Sequence, residues 1–357
     1  MKDPDEQTMH NPERAMSRDR PVNALIEETD SPDSSASVVG DRSLAALINP
    51  LSFRMSLRDR AARSAARVRA HHGEVFEVSG LAEIEQALET AMQRSIKRLV
   101  IAGGDGTLQA SVSYLARHLP ADQLPELIVL SAGRTNYVAS DVGTQQHFPA
   151  TLEKILGSAP GLLQPVERAT IELSHPSLGR QYGFFMAGAM VDEVIREVHQ
   201  WSAGHAGWAR RHHAASAVGV ARVGLRALLG RHRFTLPQLD IEASDLGRLS
   251  GHCRFLVVTT LNLETSRVVP YANRGHGALR LTAIRRGARG LWWRLPGILG
   301  GRFSDEMTPP AGYLSGRADQ LSVQHLASLT LDGQEFDLDP SQPLILRTGP
   351  VFRFLRP

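Results

Sequence analysis

From residue 43 to residue 165, short apolar runs of strand length alternate with segments whose apolar positions recur at helical spacing. The runs of strand length are Leu44–Ile48, Glu74–Val78, Arg98–Ala102 and Leu127–Ser131. The segments with helical spacing or helix-forming composition are Leu57–Ala70, Leu81–Ala91 and Leu108–Arg117. Most of these strands are apolar throughout, which is typical of a parallel sheet with helices on both faces. Residues 43–165 are therefore predicted to form a doubly wound α/β domain.

Beyond residue 165 the apolar runs are joined mostly by turns rather than by helices. They are Arg168–Leu173, Tyr182–Ala187, Leu239–Ala243, Arg254–Leu261, Ala278–Ile284, Gln320–His325, Ser328–Leu331 and Leu344–Arg347. This pattern favours an antiparallel, β-sandwich-like domain over residues 166–357, with an active cleft between the two domains. Helices predicted at Asp192–Gln200 and Gly207–Leu229 form a helical insertion near residues 192–230. Whether Val351–Leu355 returns to the first domain is left open by the pattern.

Composition sets the broad class of the protein. Residues 1–42 are rich in Asp, Glu, Ser, Pro and Arg and lack apolar periodicity, so a disordered tail is expected there. The single cysteine, Cys253, excludes intramolecular disulfides and cysteine-based zinc sites. No segment approaches the roughly 20 apolar residues that a membrane-spanning helix needs, and no apolar signal segment stands at the N-terminus. A cytoplasmic location is therefore expected, with contact to a membrane surface still open.

The sequence Ile101–Thr107, IAGGDGT, lies directly between a predicted buried strand and a predicted helix. Glycines allow several backbone amides to face one point, and the N-terminus of the following helix favours an anion. Asp105 fits beside phosphates when a cation or a donor hydroxyl accompanies them, which suggests Mg²⁺. The loop is not a Walker A loop, because no Gly-Lys-Ser/Thr follows. It predicts a site for the phosphates of a nucleotide, ATP.

This loop resembles the GGDGT loop shared by diacylglycerol kinases, sphingosine kinases, bacterial lipid kinases and NAD kinases. Residues 49–52, NPLS, are similar to the NPxSG motif of the diacylglycerol kinase catalytic-domain family, with Phe53 in place of the glycine. Residues 131–143, SAGRTNYVASDVG, resemble that family's stretch around GTxN. The segments FMAGAMVDEV at 185–194, PYANRGHGAL at 270–279 and LDGQEF at 331–336 follow in the family's order. The resemblance runs from about Leu44 to the C-terminus.

The resemblance implies transfer of the γ-phosphate of ATP to a lipid hydroxyl, with Mg²⁺ at Asp105. The residues that it assigns to ATP are Asn49, Pro50, Ser52, Gly103, Gly104, Asp105, Gly106, Thr107, Arg134 and Asn136. The residues that it assigns to catalysis are Asp105, Asp332 and Gln334.

Besides Phe53, and Tyr137 in place of the aspartate that follows the asparagine, three more positions depart from the family pattern. Gln334 stands where the glutamate of Asp-Gly-Glu accepts the proton, and glutamine can bind a hydroxyl but cannot take its proton. Asp332, Asp105 or Glu335 is then the base, or activity is weak or absent. Arg134 replaces the phosphate-contacting threonine, and His276 replaces the aspartate of a turn that holds a structural Mg²⁺ in bacterial lipid kinases.

Two basic amphipathic stretches, Trp201–Arg233 and Arg285–Phe303, interleave tryptophan and aliphatic residues with arginines. Interfacial helices have this composition, although either stretch could instead pack on its own domain. A lipid substrate at an anionic membrane surface is therefore the expected partner, with the protein peripherally associated with the inner face of the membrane. Neither stretch has the stacking aromatics of nucleic-acid binders, so no nucleic acid is expected. A homodimer stays open.

Two other functions remain open. An NAD kinase also carries a GGDGT loop, but it needs neither the Asn49-Pro50 strand end nor the tryptophans at 292 and 293. A non-catalytic nucleotide or lipid binder would explain Gln334, Arg134 and His276.

Overall fold

The computed structural model describes residues 43–57, 59–133, 137–142, 148–158, 162–204, 234, 236–262 and 268–356. The predicted tail at 1–42, the predicted helix at 207–229 and most of the first basic stretch lie outside these residues. In the described part of the chain, no helix combines the length and the apolar character needed to cross a membrane.

The first half of the described chain is a parallel sheet with the strand order β2-β1-β3-β4. Its strands are β1 (Leu44–Ile48), β2 (Glu74–Glu77), β3 (Arg98–Gly103) and β4 (Glu126–Ser131). Its helices are α1 (Arg60–Ala70), α2 (Leu81–Gln93), α3 (Asp105–His118), α4 (Tyr137–Asp141) and α5 (Phe148–Gly157), with a 3-10 turn at Ala121–Gln123.

Both faces of this parallel sheet are buried. Ala45 and Leu47 of β1 join a cluster that contains side chains of α2, α3 and α4, whereas Ala46 and Ile48 join a cluster with α1 and α5. Alternate residues of one strand therefore lie in two separate cores, which is why the strand is apolar throughout. The predicted doubly wound arrangement is confirmed.

The second half is rich in strands that pair antiparallel with one another. The strands are β5 (Gln164–His175), β6 (Gly179–Gly183), β7 (Phe185–Ala189), β8 (Gln238–Ala243), β9 (Gly247–Thr259), β10 (Leu279–Arg285), β11 (Tyr313–Ala318), β12 (Gln320–Gln324), β13 (Ser328–Leu331), β14 (Gln334–Asp337) and β15 (Leu344–Arg356). Two helices are described here, α6 (Met190–Gly204) and α7 (Leu291–Leu299). The cysteine of β9, Cys253, is buried, and burial raises the pKa of its thiol to about 12.

The last strand joins the two halves, which answers the question that the sequence left open. The first part of β15 lies between β12 and β5, and after an irregularity between Thr348 and Val351 the strand continues along β5. Near its end Phe354 lies opposite Leu127 of β4 in parallel orientation. Phe352 and Phe354 are buried in the same core as α2 and α3. All the described strands thus belong to one mixed sheet of 15 strands.

Several boundaries differ from those predicted. The single predicted strand Tyr182–Ala187 is two strands, β6 and β7, separated at Phe184. The first helix begins at Arg60, three residues later than predicted, and β11 and β14 were not predicted. The strand β15 is longer than predicted because the Gly349-Pro350 break in the apolar pattern is accommodated as an irregularity within the strand.

Candidate functional site

The glycine loop lies where β3 ends and α3 begins. A Cβ atom on Gly103 would lie 2.5 Å from the Cβ of Thr107, so only glycine allows this close packing. Gly104 precedes the helix with extended backbone, and among the described atoms a Cβ there would meet the Cα of Gly133 at 3.6 Å, an ordinary contact distance. The loop is therefore tightly packed at Gly103 and less tightly packed at Gly104. Because the first amides of a helix have no partner within it, an anion at the start of α3 would face donors.

The turn after β1 is tied to the glycine loop through Asn49. Its Nδ2 donates to the Oγ1 of Thr107 at 3.0 Å, and its Oδ1 accepts from the amide of Leu51 at 2.9 Å. The amide of Ser52 donates to the carbonyl of Asn49, which closes the turn around Pro50. The predicted residues 49–52 and 103–107 thus meet at the carboxyl ends of neighbouring strands, the place where parallel sheets bind ligands.

A basic residue that was not predicted lies at the same edge. The amide of Arg54 donates to the carbonyl of Ala132, and its Nη1 donates to the carbonyl of Ser131 at 3.2 Å. Arg54 thus connects the turn after β1 with the end of β4. Its position five residues beyond Asn49, in a loop at the ligand-binding edge, is the sequence signal that could have identified it.

The hairpin between β13 and β14 reaches the glycine loop. Asp332 and Gly333 form its two-residue turn with φ angles of 48° and 84°, the geometry of a type I′ turn. The side chain of Gln334 follows, and its Oε1 lies 3.4 Å from the position of a Cβ on Gly106. The structure therefore brings the predicted Asp332 and Gln334 to the first turn of α3, although more than 220 residues separate them from the loop.

The carboxylate of Asp332 holds the break between β6 and β7. Its Oδ2 accepts from the amide of Phe184 at 2.9 Å and its Oδ1 from the amide of Phe185 at 2.8 Å. Burial raises the pKa of Asp332 to about 7 against the lowering effect of the Phe184 amide, and the negative charge of Asp105 adds to the rise. Asp105 and Asp332 are thus two carboxylates that interact at one site. Nothing in the sequence around Phe184 and Phe185 indicates that their amides bind a carboxylate, because Asp332 is distant in the chain.

Glu335 points to a different part of the molecule from Gln334, as alternation along β14 requires. Its Oε1 lies 2.9 Å from the Nδ1 of His199, and its Oε2 lies 3.8 Å from the Nη1 of Arg196, both on α6. The hypothesis that Glu335 is a base at the glycine loop is therefore not supported by its position. Arg196 also donates to the carbonyls of Leu329 and Phe336, so it fixes α6 to this hairpin.

The described residues fit a divalent cation that is held by a carboxylate together with the phosphates of a nucleotide. No group of three or more His, Cys, Asp or Glu side chains suited to a metal is found among them. Mg²⁺ is commonly bound by one or two carboxylates together with substrate phosphates, and Asp105, in the first turn of α3, is a carboxylate at the glycine loop. The predicted Arg134 and Asn136 lie outside the described residues, so their roles stay predictions.

Comparisons with known proteins bear on the family resemblance and on the fold. Residues 43–164 match the family model of the diacylglycerol kinase catalytic domain. A Bacillus anthracis strain Sterne structure described as a putative diacylglycerol kinase is 12% identical, with a TM-score of 0.60, over 88% of this chain and 97% of the other. A second structure from the same strain, described as a diacylglycerol kinase, is 11% identical with a TM-score of 0.56 over the same shares. No curated protein sequence matches the chain.

The match to the family model covers residues 43–164, about a third of the chain. The structural neighbours, at 11% and 12% identity, show that the fold extends over most of the chain. The resemblance inferred from the motifs and the fold class inferred from the strand pattern are both confirmed.

Proposed function

We propose that the chain is an ATP-dependent lipid kinase, similar to diacylglycerol kinases, that phosphorylates a lipid hydroxyl at a membrane surface. One observation carries the proposal: the turn that contains Asp332 and Gln334 lies at the first turn of α3, beside the glycine loop. A phosphate-binding loop and a buried carboxylate thus share one site. Phosphoryl transfer needs these two parts, a cradle for the phosphates and a group that receives the proton of the acceptor.

The glycine loop supplies the cradle in this proposal. The amides at the start of α3 face the phosphates of ATP, and the Asn49–Thr107 hydrogen bond keeps the loop against the turn after β1. Asp105 holds Mg²⁺, which neutralises phosphate charge when it is bound. Arg134 and Asn136 are proposed to contact the nucleotide from the following loop.

Asp332 is proposed to accept the proton of the lipid hydroxyl. Its pKa of about 7 lies near the range in which a general base is most effective. Each of its oxygens accepts one backbone amide, which leaves further lone pairs for a hydroxyl. Gln334 orients the hydroxyl by a hydrogen bond.

The helix α7 supports action at a membrane surface. It packs on the strand-rich half through Leu291 and Ile298, while Trp292 and Trp293 are 70% and 91% exposed. The guanidinium of Arg254 lies 5.3 Å from the ring centre of Trp292. Exposed indoles beside arginines suit the interface of an anionic bilayer, so we propose a cytoplasmic protein that binds the inner membrane face peripherally.

Turnover of ATP with a panel of acceptors tests the activity. Diacylglycerol, a sphingoid base, ceramide, phosphatidylglycerol and NAD are offered in turn, and phosphorylated lipid is the expected product. Asp105→Ala should abolish transfer, whereas Asp122→Ala, which removes an exposed carboxylate from the 3-10 turn, should not. NADP as the product would favour an NAD kinase. ATP binding without any product would favour a non-catalytic binder.

Sedimentation with vesicles tests the membrane contact. Replacing Trp292 and Trp293 together by serine should weaken binding to phosphatidylglycerol-containing vesicles about tenfold. Leu81→Ser, at another exposed apolar residue, is the matched control and should bind as the wild type does. Equal binding by the double variant and the wild type would exclude α7 as the contact.

A further inference from the structure

Two arginines face each other on neighbouring strands of the strand-rich half. Arg280 of β10 and Arg317 of β11 are directly opposite in the antiparallel register, so their side chains project from the same face of the sheet. Both side chains are partly buried. Like charges that lie opposite each other destabilise a sheet, and such a pair therefore calls for a compensating group.

The described protein compensates this pair only in part. The two terminal nitrogens of Arg280 donate to the carbonyl and to the side-chain oxygen of Asn262, at 2.9 Å and 3.1 Å, and both acceptors are neutral. The nearby carboxylate of Asp141 is itself bound to the Nε of Arg168 at 2.5 Å. Burial, and then the charge of Arg317, lower the pKa of Arg280. Among the described groups whose charges act on Arg280, two are guanidiniums, of Arg317 and Arg168, and one is a carboxylate, of Asp141.

This arginine pair is connected to the candidate active site through β9. Thr259 lies opposite Arg280 in the register, and its Oγ1 donates to the carbonyl of Phe184 at 2.7 Å. The amide of Phe184 in turn donates to Asp332. One residue of β9 and one of the β6–β7 break therefore separate the arginines from the proposed proton acceptor.

We propose that Arg280 and Arg317 bind a phosphate group of the acceptor lipid, so that the acceptor is an anionic lipid rather than a neutral one. Guanidinium groups bind phosphate oxygens through two parallel hydrogen bonds, and an anion between the pair removes their repulsion. Both arginines lie on the strand-rich half, whereas the described candidate ATP residues lie at the ends of β1 and β3. The inference rests on the proposed lipid kinase function and specifies its substrate class.

Calorimetric titration of the full chain with soluble short-chain lipids tests the inference. Dihexanoyl phosphatidylglycerol carries a phosphate and free hydroxyls, and dihexanoylglycerol carries a hydroxyl alone. Arg317→Gln should weaken binding of the first lipid about tenfold and change binding of the second, and of MgATP, less than about twofold. Arg317→Lys should retain part of the affinity. Arg69→Gln, on an exposed face of α1, removes the same charge elsewhere and should have no effect.

Two other results of these titrations would overturn the inference. Unchanged binding of all three ligands by folded Arg317→Gln would overturn the inference. A selective loss of MgATP binding would assign the arginines to a nucleotide phosphate and would overturn the lipid assignment. Because these titrations need no turnover, they separate the two proposals: a chain that binds phosphatidylglycerol through Arg317 but phosphorylates no lipid would refute the kinase proposal and retain only the phosphate-binding role of the arginines.

Discussion

Replacing Gly103 by alanine should destabilise the protein, whereas the same replacement at Gly104 should not. The added Cβ at 103 would lie 2.5, 2.7 and 2.8 Å from three side-chain atoms of Thr107, closer than atoms in folded proteins approach. Thr107 is buried and β-branched, so it cannot turn away without moving α3. At 104 the backbone angles suit alanine, and the nearest atom is at an ordinary contact distance.

The magnitude follows from two terms. Overpacking of a buried site costs about 1–3 kcal/mol. Displacement of Thr107 also breaks its hydrogen bond with Asn49, worth about 1 kcal/mol. The free energy of unfolding of Gly103→Ala should therefore fall by about 2–4 kcal/mol, and that of Gly104→Ala should change by less than about 1 kcal/mol.

Urea unfolding followed by circular dichroism measures both variants, and titration with MgATP separates stability from binding. Gly104→Ala should bind MgATP about tenfold more weakly, because its Cβ is added to the backbone at the start of α3 that is proposed to face the phosphates, while the fold is kept. The reasoning fails if Gly103→Ala unfolds at the same urea concentration as Gly104→Ala. It also fails if Gly104→Ala binds MgATP as the wild type does.

Three further predictions concern the hairpin turn. Because the pKa of Asp332 is raised to about 7 by burial and then by Asp105, the folded chain retains a proton that the unfolded chain releases near pH 4. The stability of the wild type should therefore fall as the pH rises from about 4 to about 7, and urea unfolding of Asp332→Asn should show a flatter profile; equal slopes would contradict the assignment. If Asp332 is the base, Gln334→Glu should raise turnover less than about tenfold, and a gain of about 10²–10⁴ would show instead that a carboxylate is missing at 334. Gly333→Ala should lower the free energy of unfolding by about 1–2 kcal/mol, since φ is 84° at this position. Gly80→Ala serves as the control in the same urea experiment: φ is −142° there, and at both positions no described atom lies within 4 Å of the added Cβ.

The strands of the α/β half were predicted closely because the apolar runs that specify them are local in the sequence. The strands β1, β3 and β4 begin and end within one residue of the predicted apolar runs. Each is buried on both faces, so the run of apolar residues and the strand coincide. The glycine loop is also specified locally, since its shape depends on the glycines themselves and on Thr107, four residues after Gly103.

The strand-rich half was predicted less closely because its pairings join distant segments. The break at Phe184 exists because Asp332 accepts two successive amides, and nothing near residue 184 in the sequence indicates that acceptor. Likewise β14 exists as the partner of β13, and its four residues, QEFD, have no apolar alternation of their own. The site residues Arg54 and Arg196 gain their positions from carbonyls elsewhere in the fold.

The glycine loop between β3 and α3, the order of the motifs and the fold class could be predicted from the sequence, because glycine content and apolar periodicity act over a few residues. The folded chain was needed to show that Gln334 lies beside Gly106, that Glu335 contacts α6 and that Arg280 lies opposite Arg317. Each of these depends on strand register, in which a shift of one residue moves every side chain to the opposite face. The pairs that set register join segments far apart in the chain, as β15 does with β4 and β5, and no local pattern contains them.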